Sequence, residues 1–282
     1  MGDAPAGIWT SVHWQKIAGL GLTGNDVHVL TWSRGYLVLD QSPGTDDEGN
    51  DLPVTIRVSA SSDGVHWDAP TKLETGFQGN FAIREIVEGP AGLLALAFPY
   101  GDTCGGPEAV SQMWRSTDGR SWQRLAMPKA FSTNGVQSIS GGAAGYIAFG
   151  GTAGDMTKPK IWTSPDATTW TGRPLPTVSG GTLLIDKVSA FGSGFVVLGG
   201  VLSEGCGGGS SIKPAIWLST TGASWTRVSL PGASTALDAH LSMRPFGDRL
   251  LVDQRVGDEP TGLAWTSVDG QTFTSIGQRQ LD

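Results

Sequence analysis

Short apolar runs separated by glycine-bearing turns recur along the whole chain in a fixed order. Asp26 to Leu30 is followed by Gly35 to Leu39, Ile83 to Val87 by Gly92 to Leu96, and Val136 to Ser140 by Gly145 to Phe149. The same pair returns as Ile185 to Ser189 with Gly194 to Leu198, and as Asp238 to Met243 with Leu250 to Asp253. After each pair comes a strand of the type Ile161-Trp162-Thr163 or Ile216-Trp217-Leu218, then a polar bend, then a short run such as Trp225 to Leu230. Every unit therefore reads as four antiparallel strands.

The bends carry the most regular signal. Ser61-Ser-Asp63-Gly64-Val-His-Trp67 recurs as Ser116-Thr-Asp118-Gly119-Arg-Ser-Trp122 and as Ser164-Pro-Asp166-Ala167-Thr-Thr-Trp170. It returns as Ser219-Thr-Thr221-Gly222-Ala-Ser-Trp225 and as Ser267-Val-Asp269-Gly270-Gln-Thr-Phe273, with the closing aromatics 55, 48, 55 and 48 residues apart. Asp-Gly suits a tight hairpin, because glycine supplies a positive φ and the carboxylate caps nearby amides. A four-stranded sheet that is apolar on both faces cannot bury itself, so successive units must stack, and closing the ring hides the last face. The pattern predicts an all-β protein, a β-propeller of four-stranded antiparallel blades, with five blades favoured and six possible. Residues 1–282 form one propeller domain with repeats at about 19–70, 71–127, 128–176, 177–231 and 232–277, and 8–18 is an orphan N-terminal strand pair.

The SxDGxxW bend resembles the Asp-box of the bacterial neuraminidase repeat, a family of sialidase-like propellers. The spacing is one residue shorter than the family's SxDxGxxW, and Ala167, Thr221 and Phe273 replace family positions. The resemblance implies the propeller fold and places the boxes on the face away from the usual ligand site, but it says little about activity. A sialidase would need an arginine triad, a tyrosine nucleophile with a glutamate partner, an aspartate acid/base and an Arg-Ile-Pro motif. Here Ile56-Arg57-Val58 has no proline, and Tyr100 is the one tyrosine outside strand register.

Composition narrows the function classes. A net charge of -7 argues against nucleic acid or an anionic membrane surface as partner. No apolar run approaches the roughly 18 to 20 residues that cross a bilayer as a helix, so membrane insertion is not expected. Cys104 and Cys206 match no metal spacing but occupy matching glycine-rich loops, GDTCGG and SEGCGGG. We expect a disulfide between them and an extracytoplasmic or secreted location. Ten of the eleven tryptophans stand in repeat register, which assigns them to packing between blades rather than to sugar stacking, and Tyr36 and Tyr146 are expected in the core.

Counting back seven places from Gly35, Gly92, Gly145, Gly194 and Gly247 gives His28, Glu85, Ser138, Lys187 and His240. First strands of a propeller are innermost, so these polar residues should gather at the central channel, with Arg84, Asp186, Asp26 and Asp238 close by. His28, Glu85, Lys187 and His240 are the catalytic candidates, because crowded ionisable groups shift one another's pKa values. The residues one place later, Val29, Ile86, Ile139, Val188 and Leu241, should pack between blades. A water-filled polar channel is the competing account of the same pattern.

The loops between second and third strands are long and acidic. They and the channel supply the ligand-binding candidates Arg84, Asp186, Tyr100, Asp102, Asp155 and Glu204. Asp46, Asp47 and Asp51 in TDDEGND are the calcium candidates, although the run lacks the alternating carboxylates and closing glutamate of an EF-hand; otherwise no cofactor is expected. The leading expectation is a binding or interaction module that recognises a glycan, peptide or protein through the loop face and channel mouth. The alternative is a glycoside hydrolase or lyase that uses the same carboxylates and histidines.

Overall fold

The structure is a computed structural model that describes residues 26–42, 52–78, 81–99, 111–132, 135–152, 155–204, 210–236, 239–246, 249–257 and 259–276, with positions 20, 22 and 48. The strand pair expected at 8–18 lies outside these residues. The chain falls into two compact units, Met1–Met127 and Pro128–Asp282.

The first unit holds two sheets: β1 (Asp26–Trp32), β2 (Gly35–Gln41), β3 (Pro53–Ser61) and β4 (Thr71–Gln78), then β5 (Phe81–Gly89), β6 (Gly92–Pro99), β7 (Gln112–Ser116) and β8 (Gln123–Leu125). The second opens with the single-turn helix α1 (Lys129–Ser132) and holds three sheets. These are β9 (Gly135–Gly142), β10 (Gly145–Thr152), β11 (Asp155–Ser164) and β12 (Thr171–Arg173); β13 (Thr182–Phe191), β14 (Gly194–Glu204), β15 (Ser210–Ser219) and β16 (Thr226–Val228); and β17 (Ala239–Phe246), β18 (Arg249–Val256), β19 (Glu259–Ser267) and β20 (Thr274–Ile276). Within each sheet the strands pair in chain order, antiparallel throughout. The fold is all-β, with five four-stranded blades as the repeat predicts.

Packing between neighbouring blades follows the tryptophan register. Trp114 of β7 is buried with Leu37, Leu39, Ile56 and Val58 of the first sheet. Trp217 of β15 packs with Ile147, Phe149 and Ile161 of the third, and Trp265 of β19 with Val196, Leu198 and Ile216 of the fourth. Truncating a buried indole typically costs about 3–5 kcal/mol, so these three anchor their units. Tyr146 is fully buried as expected, but Tyr36 is 38% exposed and is not a core residue. In the second unit the first strands approach one another, β9 beside β13 and β13 beside β17.

The bends seat themselves locally. In the second sheet the Ser116 hydroxyl accepts the Gly119 amide at 2.9 Å, and one Asp118 oxygen accepts the Arg120 and Ser121 amides at 2.8 and 2.7 Å. Asp63, Asp166 and Asp269 each accept the matching two amides at 2.7–2.8 Å. These bonds hold all four carboxyls below the usual carboxylate range; in Asp63 the His66 side chain is the largest contributor. Trp67, Trp122 and Trp170 each donate their indole N–H to the carbonyl of the bend's fourth residue, at 3.1–3.2 Å. The second strand then starts against the bend. At Gly92, φ is 99°, and a Cβ would stand 2.4 Å from the Ser116 carbonyl oxygen, so only glycine fits.

Candidate functional site

The residues that open the second strands are Gly35, Gly92, Gly145, Gly194 and Arg249. Seven places before them lie His28, Glu85, Ser138, Lys187 and Ser242, opposite Leu39, Leu96, Phe149, Leu198 and Asp253 on the same rung of each sheet. The fifth member is thus Ser242 and not His240, which pairs with Arg255. The reason is that β18 opens at an arginine two places beyond Gly247, itself outside the described residues. A two-place shift keeps the side of a strand, so His240 and Ser242 share one face, and both are exposed.

The other candidates fall on either side of the division between units. His28 and Glu85 belong to the first, where His28 is exposed and Glu85 half-buried; Lys187 is exposed in the second, and Ser138 is buried. One place later Ile139, Val188 and Leu241 are buried as expected and Ile86 is half-buried. Val29 is 51% exposed, which corrects the expectation that it packs. Arg84, Asp155 and Glu204 are described as strand positions alone. Tyr100, Asp102, Asp46, Asp47, Asp51, Cys104 and Cys206 lie outside the described residues. Among the described residues, no three His, Cys, Asp or Glu side chains gather as a metal site.

What the structure does bring together is Asp186 and His240. In β13 the pairing skips Asp186, since Ile185 faces Gly199 and Lys187 faces Leu198. Such a bulge re-aims side chains. Here it leaves Asp186 and Lys187 both exposed beside one another. Burial pushes the Asp186 carboxyl above its ordinary range, and the charge of His240 on the adjoining first strand pulls against that shift. Asp186 nevertheless remains exposed to water. Register places His240 near the end of its sheet where the loop between second and third strands leaves, opposite the bend, and Asp186 in the middle of β13. A carboxyl that holds its proton longer than usual, with an imidazole and an ammonium nearby, can bind a polar ligand or exchange protons with it. The sequence does carry a signal for the bulge: Gly199 faces the strand where a Cβ would stand 2.0 Å from the Leu184 carbonyl oxygen, and Gly150 is crowded the same way by Gly135.

Five sheets of four antiparallel strands, packed face to face within each unit by repeat-register tryptophans, define the class as a β-propeller. No family model matches the chain, and no curated protein matches it by sequence. In structure it is similar to the acylaminoacyl peptidase of Pyrococcus horikoshii, with a TM-score of 0.54 and 10% identity over 96% of this chain and 41% of that one. An α-L-arabinanase of Penicillium chrysogenum gives 0.47 and 13% over 88% and 79%. The GH32 β-fructofuranosidase BmSUC1 of Bombyx mori gives 0.45 and 12% over 90% and 62%, so this chain spans about three fifths of that protein's length. At these identities the likeness is one of fold.

Proposed function

We propose that this chain is an extracytoplasmic propeller of the Asp-box type that serves as a binding module, recognising a glycan, or a peptide or protein of similar polarity, through first-strand side chains and the loops between second and third strands. The observation that carries the proposal is the Asp186 and His240 pair on adjoining first strands, exposed beside Lys187. Rigid sheets that present polar groups at a loop end are a common basis for recognition. The Asp-box assignment is supported by four bends whose aspartates each accept two amides.

A glycan array probed with the parent and with Asp186→Asn, His240→Ala and Glu85→Gln tests it. Binding lost in the Asp186 and His240 variants supports the reading, and binding unchanged in all three removes it. Two free thiols in protein isolated without reductant would count against the extracytoplasmic placement. One observation favours the second reading, a glycoside hydrolase or lyase: a raised carboxyl pKa is what a general acid needs. Release of new reducing ends, abolished by Asp186→Asn, would mark the chain as an enzyme.

A further inference from the structure

Three of the bends settle on the sheet before them, and the three seams differ in how tightly they are tied. Between the first and second sheets, a Cβ on Gly119 would stand 3.0 Å from Leu37 and 3.2 Å from Trp32. Arg34 lies over the Trp32 ring and donates to the Thr117 carbonyl at 2.9 Å, while Arg120 pairs with Asp68. Between the third and fourth sheets, Gly222 sits against Thr163 and Arg173, and the Trp225 indole donates to the Pro174 carbonyl at 2.8 Å. In the seam between the fourth sheet and the fifth bend, the residues that make these ties are replaced. Ser193 stands where the first sheet has Arg34, Val228 where the third has Arg173, and Phe273, which has no N–H to donate, where the fourth has Trp225. Among the described residues, the side-chain bonds of the fifth bend stay within that bend, and no hydrogen bond or ion pair joins it to the fourth sheet.

An open cleft of about 560 Å³ lies along this seam, inside the second unit. Its lining includes the half-buried side chains of Phe191 and Leu218, both within 3.5 Å of where a Gly270 Cβ would stand. A volume of this order is what small ligands occupy. Arg227 and Asp269 are its two charged lining residues, so the cleft carries no net charge to attract an acid or a base. Arg227 is exposed and has no carboxylate partner among the described residues. One Asp269 oxygen is engaged by Ser267, Gln271 and Thr272, which leaves the other to accept a hydroxyl. The exposed Gln271 adds an amide. The edge strand here, β16, is three residues long, too short a ladder for an added peptide strand. A pyranose suits this mixture, because its hydroxyls can pair with guanidinium, amide and carboxylate groups while its C–H face rests on an aromatic ring.

We propose that this cleft binds a neutral saccharide of one or two rings, with one ring resting on Phe191 and its hydroxyls shared among Asp269, Gln271 and Arg227. Neither Asp186 nor His240 lines the cleft, so the inference goes beyond the function proposed above and does not rest on it.

The test is calorimetric titration of the whole chain with cellobiose, maltose and lactose, with sorbitol as a polyol that has no ring and glycylphenylalanine as a charged peptide that has one. At least one disaccharide should bind with a dissociation constant of about 1 mM or tighter, and sorbitol and glycylphenylalanine should bind at least about tenfold more weakly than it does. Ser193→Arg, which places the first sheet's residue at this exposed position, should abolish binding without lowering the thermal midpoint. Phe191→Ala should weaken binding by about tenfold, as expected for the loss of a ring contact. Asp186→Asn should bind like the parent. The proposal is overturned if no disaccharide binds, if sorbitol or glycylphenylalanine binds as tightly as the best disaccharide, or if Ser193→Arg and Phe191→Ala both bind like the parent. A sugar lost in Asp186→Asn and kept in Ser193→Arg would also overturn it, and would support the function proposed above instead.

Discussion

The second and fourth bends are near copies in sequence, yet they solve the same problem differently. Asp118 gathers two amides on one oxygen, while Thr221 reaches one amide at longer distance. Trp122 latches its own bend, whereas Trp225 turns to the exit segment of the preceding sheet. The serine seat is common to both: Ser116 accepts Gly119 at 2.9 Å and Ser219 accepts Gly222 at 2.7 Å. In these two bends the repeat therefore separates into a serine seat that both keep and a carboxylate cap that one gives up.

The comparison should disappear when the shared seat is attacked. Gly92→Ala and Gly194→Ala each drive a Cβ to 2.4–2.6 Å from a bend serine carbonyl, and each should cost about 3 kcal/mol in denaturant melts, alike in both blades. It should widen when the caps are removed. Asp118→Ala should cost about 1–2 kcal/mol and Thr221→Ala about 0.5 kcal/mol, since a bond to a charged acceptor is worth more than one to a hydroxyl.

The Asp118 effect also depends on pH. A carboxyl whose folded pKa lies below its ordinary value contributes stability that is fully present above that ordinary value and is lost as pH falls through the lowered one. The gap between Asp118→Ala and the parent should therefore close in acid, while Thr221→Ala keeps a constant gap. Asp186 has the opposite sign: its raised pKa makes ionisation costly, so Asp186→Asn should gain stability relative to the parent as pH rises toward neutral. Thr221→Asp should stabilise by about 0.5–1 kcal/mol in thermal melts above pH 5, by analogy with the gain from a carboxylate cap. An effect as small as that of Thr221→Ala belongs to the third bend. Ala167 sits at φ 62°, a conformation that costs a residue with a Cβ, and Ala167→Gly should gain about 0.5 kcal/mol.

The four-strand unit, the bends and the buried Trp114, Trp217 and Trp265 were legible in the sequence, because each is a local rule repeated at a fixed spacing. What escaped depends on neighbours in space. The Trp225 partner lies in another sheet, and Val29 and Tyr36 are apolar residues whose exposure no alternation reveals. At the candidate site the polar first-strand register could be read for four sheets, because a glycine opens the second strand in each. It failed in the fifth, where Arg249 takes that place. Asp186 was visible as a neighbouring charge, but its link to His240 needed the bulge in β13 and the approach of β17.

Amide hydrogen exchange across the five bends tests the central contrast most directly, since an amide held by a fixed carboxylate exchanges slowly and one left to water does not. Exchange should be slow at His66, Ser121, Thr169 and Thr272, fast at Ser224, and slowed at Ser224 in Thr221→Asp. Protection of Ser224 equal to that of Ser121 in the parent chain would contradict that contrast.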